Sequence, residues 1–304
     1  MFRNKYIIQT TLLGILTAGG IAFAQGGGDK YISDSLKTLL SVQTIECDVR
    51  IETFVEGNEY TARGRYEEQT LLRTPPSPFL RSMYRLNINF SNMPMESDPN
   101  PNRMTLLCHP SEDREKNLIQ QYTFIEGDET FITIDLTRLE ERLKETNMDL
   151  VFTQVSELRQ FGGLAGKMRQ IERFYEFSSP TQEDLQDEEK IPAFKLTGKL
   201  RSIYHKELLA QFGGLKRGGQ YPAGFPSDIE IWLGRANDFP YKIRYLRRVS
   251  EKSERKDLLF QESFYKVALN RAQIPDSKFA LLNPPKDVFV TDGTEDYIKK
   301  LGLR

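Results

Sequence analysis

Few residues in this chain are equipped for chemistry. Two histidines, His109 and His205, and two cysteines, Cys47 and Cys108, are its only soft metal ligands. A zinc site draws three or four His, Cys or carboxylate ligands from close positions. Here only Cys108 and His109 adjoin, so no metal is expected. The same adjacency suits a Cys–His nucleophile poorly, because neighbours on a strand point to opposite faces. No G-x-S-x-G, H-E-x-x-H or P-loop pattern occurs. Acidic runs such as Glu67-Glu68 and Asp187-Glu188-Glu189 have polar neighbours that keep carboxylate pKa values ordinary, and they read as solvated surface. The expectation is a protein without catalytic residues, metal or cofactor.

One further stretch invites a chemical reading. The pentapeptide QFGGL occurs at 160–164 and again at 211–215. A phosphate cradle places its glycines between a strand and the start of a helix. Both copies instead follow amphipathic helical patterns, and a glycine just past a helix reaches the left-handed cap conformation. The sequences beyond them share nothing. Both are therefore read as helix stops, not as a repeated domain or an anion site.

The cysteines bear on compartment. Arg3 and Lys5 precede an uncharged run from Tyr6 to Ala24 that ends in Ala22-Phe23-Ala24. Basic, apolar, then small-x-small is the order of a secretory signal peptide, here spanning 1–24 and cleaved between Ala24 and Gln25, with a single membrane anchor as the alternative. The chain then reaches the periplasm, where Cys47 and Cys108 are a candidate disulfide, with two buried free thiols as the alternative. Closing that 61-residue span would stabilise the fold by about 4 kcal/mol. Without residues 1–24 the chain carries 40 Lys+Arg against 43 Asp+Glu, a net charge of −3. That balance excludes nucleic-acid binding by bulk field.

The elements that would position any site are mostly strands. Residues 30–42 read as a short helix with Ile32, Leu36, Leu39 and Leu40 on one face. Ile45, Cys47, Val49 and Ile51 then alternate with Glu46, Asp48, Arg50 and Glu52. After a turn at 56–59, Tyr60, Ala62, Gly64 and Tyr66 continue the alternation, giving a hairpin with one wet and one dry face. Proline-rich TPPSP and a polar loop at 91–103 separate further strands, joined by turns too short for crossovers, so the sheet is antiparallel. Asp135 caps a helix with a Leu136, Leu139, Leu143 stripe. A later helix carries Leu164, Met168, Ile171 and Tyr175. A last one is capped by Thr294 and closed by Gly302. Tyr84, Leu86, Phe90, Tyr122, Phe124, Trp232, Tyr245 and Phe264 either line an apolar cavity under the helices or fill a core.

Both ends of the chain resemble the periplasmic lipoprotein carrier (LolA-like) superfamily. SLKTLLSVQTIECDVRIETFVEGNEYTARGRYEE is similar to its opening helix, hairpin and return strand, and LLRTPPSPFLRSMYRL to its arginine- and proline-containing turn. FYKVALNRAQIPDSKFALLNPPKDVFVTD looks like its closing strand, Asn, exposed Ile-Pro, Phe and final segment. The resemblance implies an α+β fold: a curved antiparallel β-sheet, an open half-barrel, covered by inserted helices, forming one domain over 25–304 with a helical lid or insert at about 136–226. It implies a monomeric, non-enzymatic carrier of a lipid or acylated lipoprotein. An arginine would hold the lid shut, with Arg73, Arg81 and Arg85 competing for that place. A sensor or scaffold that binds a membrane-associated protein, as anti-sigma-factor regulators of similar fold do, is the other reading.

Overall fold

A computed structural model of the chain describes residues 27–55, 58–71, 82–90, 102–111, 113–145, 162–271 and 273–301. The expected signal peptide with its Ala24–Gln25 junction, the proline-rich turn with Arg73 and Arg81, and the helical run after Asn147 lie outside the described residues.

The alternation at the front of the chain becomes an antiparallel meander. Helix α1 (Asp29–Ser41) leads into β1 (Thr44–Val55), β2 (Asn58–Thr70), β3 (Ser82–Phe90), β4 (Arg103–His109), β5 (Leu118–Ile125) and β6 (Asp128–Asp135). Helices α2 (Leu136–Glu145) and α3 (Gly163–Phe174) follow, then the short strands β7 (Tyr175–Phe177), β8 (Thr181–Gln182), β9 (Leu185–Gln186) and β10 (Lys190–Ile191). The chain continues with β11 (Ala193–Leu200), α4 (Ser202–Gln211), β12 (Asp228–Gly234), β13 (Pro240–Arg248) and β14 (Lys256–Leu269), and ends with β15 (Val290–Asp292) and α5 (Thr294–Lys300). Strand order in the large sheet is β15-β6-β5-β4-β3-β2-β1-β14-β13-β12-β11-β7, with β8 on β11 and a separate β9–β10 pair. The sheet is curved and unclosed, an open half-barrel of an α+β fold. It departs from the antiparallel expectation at one edge, where β15 runs parallel to β6.

Parity decides which side chains face the helices. Ile45, Cys47, Val49 and Ile51 are all buried, as the alternation requires. They join one core with Leu86 and Ile88 of β3, Ile229 and Ile231 of β12, and Phe260 and Phe264 of β14. Ile32, Leu36 and Leu39 of α1 and Leu164, Met168 and Ile171 of α3 close that core from above. Each such side chain contributes roughly 1.5–3 kcal/mol by leaving water. Within 136–226, β7, β8 and β11 extend the sheet, while α2 packs with α5 beside β5 and β6.

The opposite face is covered too. Ile274, expected exposed, is buried with Phe279 against Leu107 of β4. One helix cap agrees with expectation and the other differs by a residue or two. Asp135 caps α2, accepting from the Thr137 and Arg138 amides at 2.8 and 3.2 Å. Helix α5 starts at Thr294 after an N-cap Gly293, and Asp292, just before it, accepts from the Thr294 amide at 2.9 Å, while the Thr294 hydroxyl accepts from the Asp135 amide.

The candidate disulfide is absent: Cys47 and Cys108 are free and buried. Cys47 lies on β1 and Cys108 on β4, with β2 and β3 between them. Three strand spacings amount to about 14 Å, twice the roughly 7 Å at which two cysteines can still be joined.

A candidate ligand site beneath helix α3

Helix α3 begins where the first QFGGL copy was read as a stop. Gly162 and Gly163 hold φ of 82° and 57°, and the helix starts at Gly163. The second copy terminates α4, with the Gly213 and Gly214 amides donating to the Ala210 and Leu209 carbonyls at 3.0 and 2.9 Å. The anion at the α3 N-terminus is internal. Glu68 Oε2 accepts from the Leu164 amide at 3.0 Å and from the Tyr66 hydroxyl at 2.6 Å. A side chain at position 163 would collide with the Glu68 carboxylate, so glycine there answers to close approach as well as to positive φ.

Glu67 and Glu68 are therefore not solvated surface. Both are buried, on opposite faces of β2. Glu67 takes Lys278 at 3.1 Å on the outer face. Burial pushes the Glu68 carboxyl above its ordinary value of 4.5, against hydrogen bonds from Tyr66, Ser82 and Leu164 that favour the charged form.

One helical turn further on, Lys167 reaches down to Glu262 of β14 in an ion pair whose side chains are each 7% exposed. Its ammonium also lies 5.8 Å from the centre of the Phe260 ring. At the far end of α3, Arg201 donates to Asp29 of α1 at 3.1 Å and to the Glu172 carbonyl at 3.3 Å. Asp29 also accepts from the Phe177 amide at 2.8 Å. Three polar tethers thus fasten a helix whose underside is apolar.

Between α3 and the sheet lies a cavity of about 40 Å³ lined by Val49, Ile51, Tyr66, Tyr84, Leu86, Gly163, Leu164, Lys167, Glu262 and Phe264. Tyr66 stacks on Tyr84 at 5.9 Å and meets Phe264 edge-on at 6.4 Å. Of the residues named from sequence, Tyr84, Leu86 and Phe264 line this space. Phe90 and Tyr245 share its face but sit elsewhere, Tyr245 against Tyr175 and Phe260. Tyr122, Phe124 and Trp232 are on the other face. Arg103 lies 5.8 Å from both the Tyr122 and Phe124 ring centres, and Trp232 packs with Leu185 and Ala193.

Arg85 does not contact the lid. It points outward, donating to Asn87 Oδ1 at 3.3 Å and to the Lys278 carbonyl at 3.1 Å. The residues that fasten α3 are Glu68, Lys167 with Glu262, and Arg201 with Asp29. For Glu68 and Glu262 the signal lay in the strand pattern: Glu68 continues the inward series Ala62, Gly64, Tyr66, and Glu262 sits between inward Phe260 and Phe264. Among the described residues no group of His, Cys, Asp and Glu is arranged to hold a metal ion, and no helix is long and apolar enough to cross a membrane.

No protein-family model matches the chain, and no curated protein matches it. Solved structures do. MucB aligns at 12% identity and a TM-score of 0.38, over 86% of this chain and 63% of that one. A DUF1329 family protein from Desulfovibrio piger aligns at 9% identity and a TM-score of 0.35, over 84% and 98%. A LolA superfamily protein from Nitrosomonas europaea aligns at 11% identity and a TM-score of 0.26, over 84% and 98%. All three TM-scores are below 0.5, and the open half-barrel stands on its own strand order and register.

Proposed function

We propose that this is an exported, non-enzymatic protein that shelters a lipid or an acylated lipoprotein between α3 and the helix-covered face of the sheet. The observation that carries this reading is the manner of closure. An apolar cavity with aromatic walls lies under a helix held by buried polar tethers, and such tethers recover hydration when broken. About 40 Å³ accommodates one to three waters, against roughly 300–1,000 Å³ for ligand sites. Binding therefore requires α3 to lift. Each acyl methylene then buried returns about 0.8 kcal/mol.

Titrating delipidated protein with a fluorescent fatty acid tests the proposal, beside mass spectrometry of an organic extract of the protein as purified. Saturable binding, or a co-extracted lipid, supports it. Neither would overturn it in favour of the second reading, a scaffold that binds another protein. The small volume of the closed cavity is what favours that alternative.

A further inference from the structure

The acidic loop read as solvated surface is bound along its length to the outer face of the sheet. Glu183 accepts from the Trp232 indole at 3.1 Å and lies 3.7 Å from Lys195. Asp184 pairs with Arg235 at 3.1 Å, Asp187 with Lys242 at 2.8 Å, and Glu188 with Arg63 at 3.2 Å. Glu189 accepts from the Lys266 amide at 3.2 Å. In the middle, Leu185 is buried against Trp232 and Ala193.

Beneath this strap the surface has the composition of a receptor. Trp232 is flanked by Lys195, Arg244 and Lys242, whose cationic centres lie 4.8, 5.1 and 5.6 Å from its ring. The acid of the sheet nearest these cations, Glu230, is shared between Lys195 at 3.3 Å and Arg244 at 3.8 Å. Lys242, with a side chain 8% exposed, has Asp187 of the strap as its ion-pair partner. Removing the strap would leave a surplus of positive charge around an apolar slot.

The strap's own hold is slight. Its ladders are two residue pairs from β8 to β11 and two from β9 to β10. The part-exposed pairs of Glu183, Asp184 and Glu188 contribute about 0–1 kcal/mol each, and one buried leucine adds about 2 kcal/mol. Asp187 on the buried Lys242 is the strongest single hold.

We propose that the outer face around Trp232 is a docking surface for an acidic peptide segment with a central apolar residue, carried by a partner protein. Residues 181–191 hold that surface as an internal stand-in until the partner displaces them. The strap's E-D-L-Q-D-E-E sequence is the recognition pattern: one apolar anchor for the slot, flanked by acids for the cations. While the strap is seated, the apparent affinity for a competing segment falls with the fraction of vacated molecules.

The test uses the full chain with its strap neutralised by Glu183→Gln, Asp184→Asn, Asp187→Asn and Glu188→Gln. The probes are a labelled peptide with the sequence of residues 180–192 and a version with every acid changed to its amide. Trp232, the single tryptophan, reports occupancy by its emission, beside peptide anisotropy. The acidic peptide is expected to bind the neutralised protein about tenfold or more tightly than the unaltered one. It should shift the emission of Trp232 and weaken with salt, whereas the amide peptide should fail. Equal affinity for both proteins, no binding to the neutralised one, or equal binding of the amide peptide would each overturn the proposal. Should circular dichroism show the fourfold variant unfolded, Leu185→Ala in the otherwise unaltered chain must give the same gain.

Discussion

At the scale of single residues the site turns on Glu68, a carboxyl that burial pushes above 4.5. A proton then binds the folded chain more tightly than the unfolded one. The stability this confers is complete below the unfolded value and is lost as pH rises through the folded one. Asp48, Asp228 and Asp292 behave oppositely, since their partners hold them below 3.8 and their contribution fades on acidification. Asp238, also raised by burial, shares this sign, so substitution at Glu68 isolates its part. Glu68→Gln, which keeps an acceptor for the Leu164 amide, should gain stability relative to the unaltered protein as pH increases above 4.5. Urea midpoints taken across pH check this, and a pH-independent difference refutes it. Glu68→Ala should cost about 1–3 kcal/mol at pH 4, by stranding the Leu164 amide, and less as pH rises. The two thiols give a second prediction. Burial pushes both Cys47 and Cys108 far up, so neither should react with a thiol reagent until the chain unfolds, when two react at once. An even pair of cysteines invites a bridge, but strand order, which spacing in sequence does not disclose, keeps the two apart.

At the scale of elements, α3 is both packed and tethered. Lys167→Ala should cost about 3–5 kcal/mol, because it leaves Glu262 charged and buried without a partner. Replacing both members, Lys167→Met with Glu262→Met, should be neutral or stabilising. The double variant should nevertheless take up fatty acid more slowly. Lifting α3 returns water to two charges in the natural protein but exposes two apolar groups in the variant. Thermal melts and stopped-flow uptake separate these effects. An unchanged uptake rate would show that the ion pair has no part in opening. The strands, the α2 cap and the α3 stripe were legible because period and capping are local. Which face each strand turns to the helices was legible only where one face is wet. Strand β1 alternates cleanly, whereas β12 buries apolar groups on both sides and β5 buries Ile119 on one side and Gln120 on the other. The segment carrying Ile274 and Phe279 and the acidic strap cover the outer face, and alternation does not record cover supplied by distant chain. That is why Trp232 reads as an inward residue although it faces out under the strap, while Tyr122 and Phe124 face out beside Arg103.

At the scale of the molecule, an unclosed sheet has two edges, and the chain blunts both with short strands. The three residues of β7 form one end, and three residues of β15 form the other. Behind β15 stands β6, eight residues long and the more adhesive edge if bared. The same C-terminal piece covers α2. Tyr297, Ile298 and Leu301 join Leu136, Leu139 and Leu143 in the core, while Arg138 ties α2 to Asp292 at 3.3 Å and to Glu295. Deleting residues 290–304 should therefore uncover a long strand edge and a leucine stripe together. Leu136, Leu139 and Leu143 would each lose roughly 1.5–3 kcal/mol of burial, comparable in sum with the whole stability of an ordinary domain. The truncated chain should pass from monomer to dimer or aggregate as concentration rises, whereas Arg138→Ala alone, which breaks only exposed pairs, should cost less than about 1 kcal/mol. Light scattering after size-exclusion chromatography reads the first outcome and urea denaturation the second. A truncated chain that stays monomeric and fully folded would mean that β6 is protected by something other than β15 and α5.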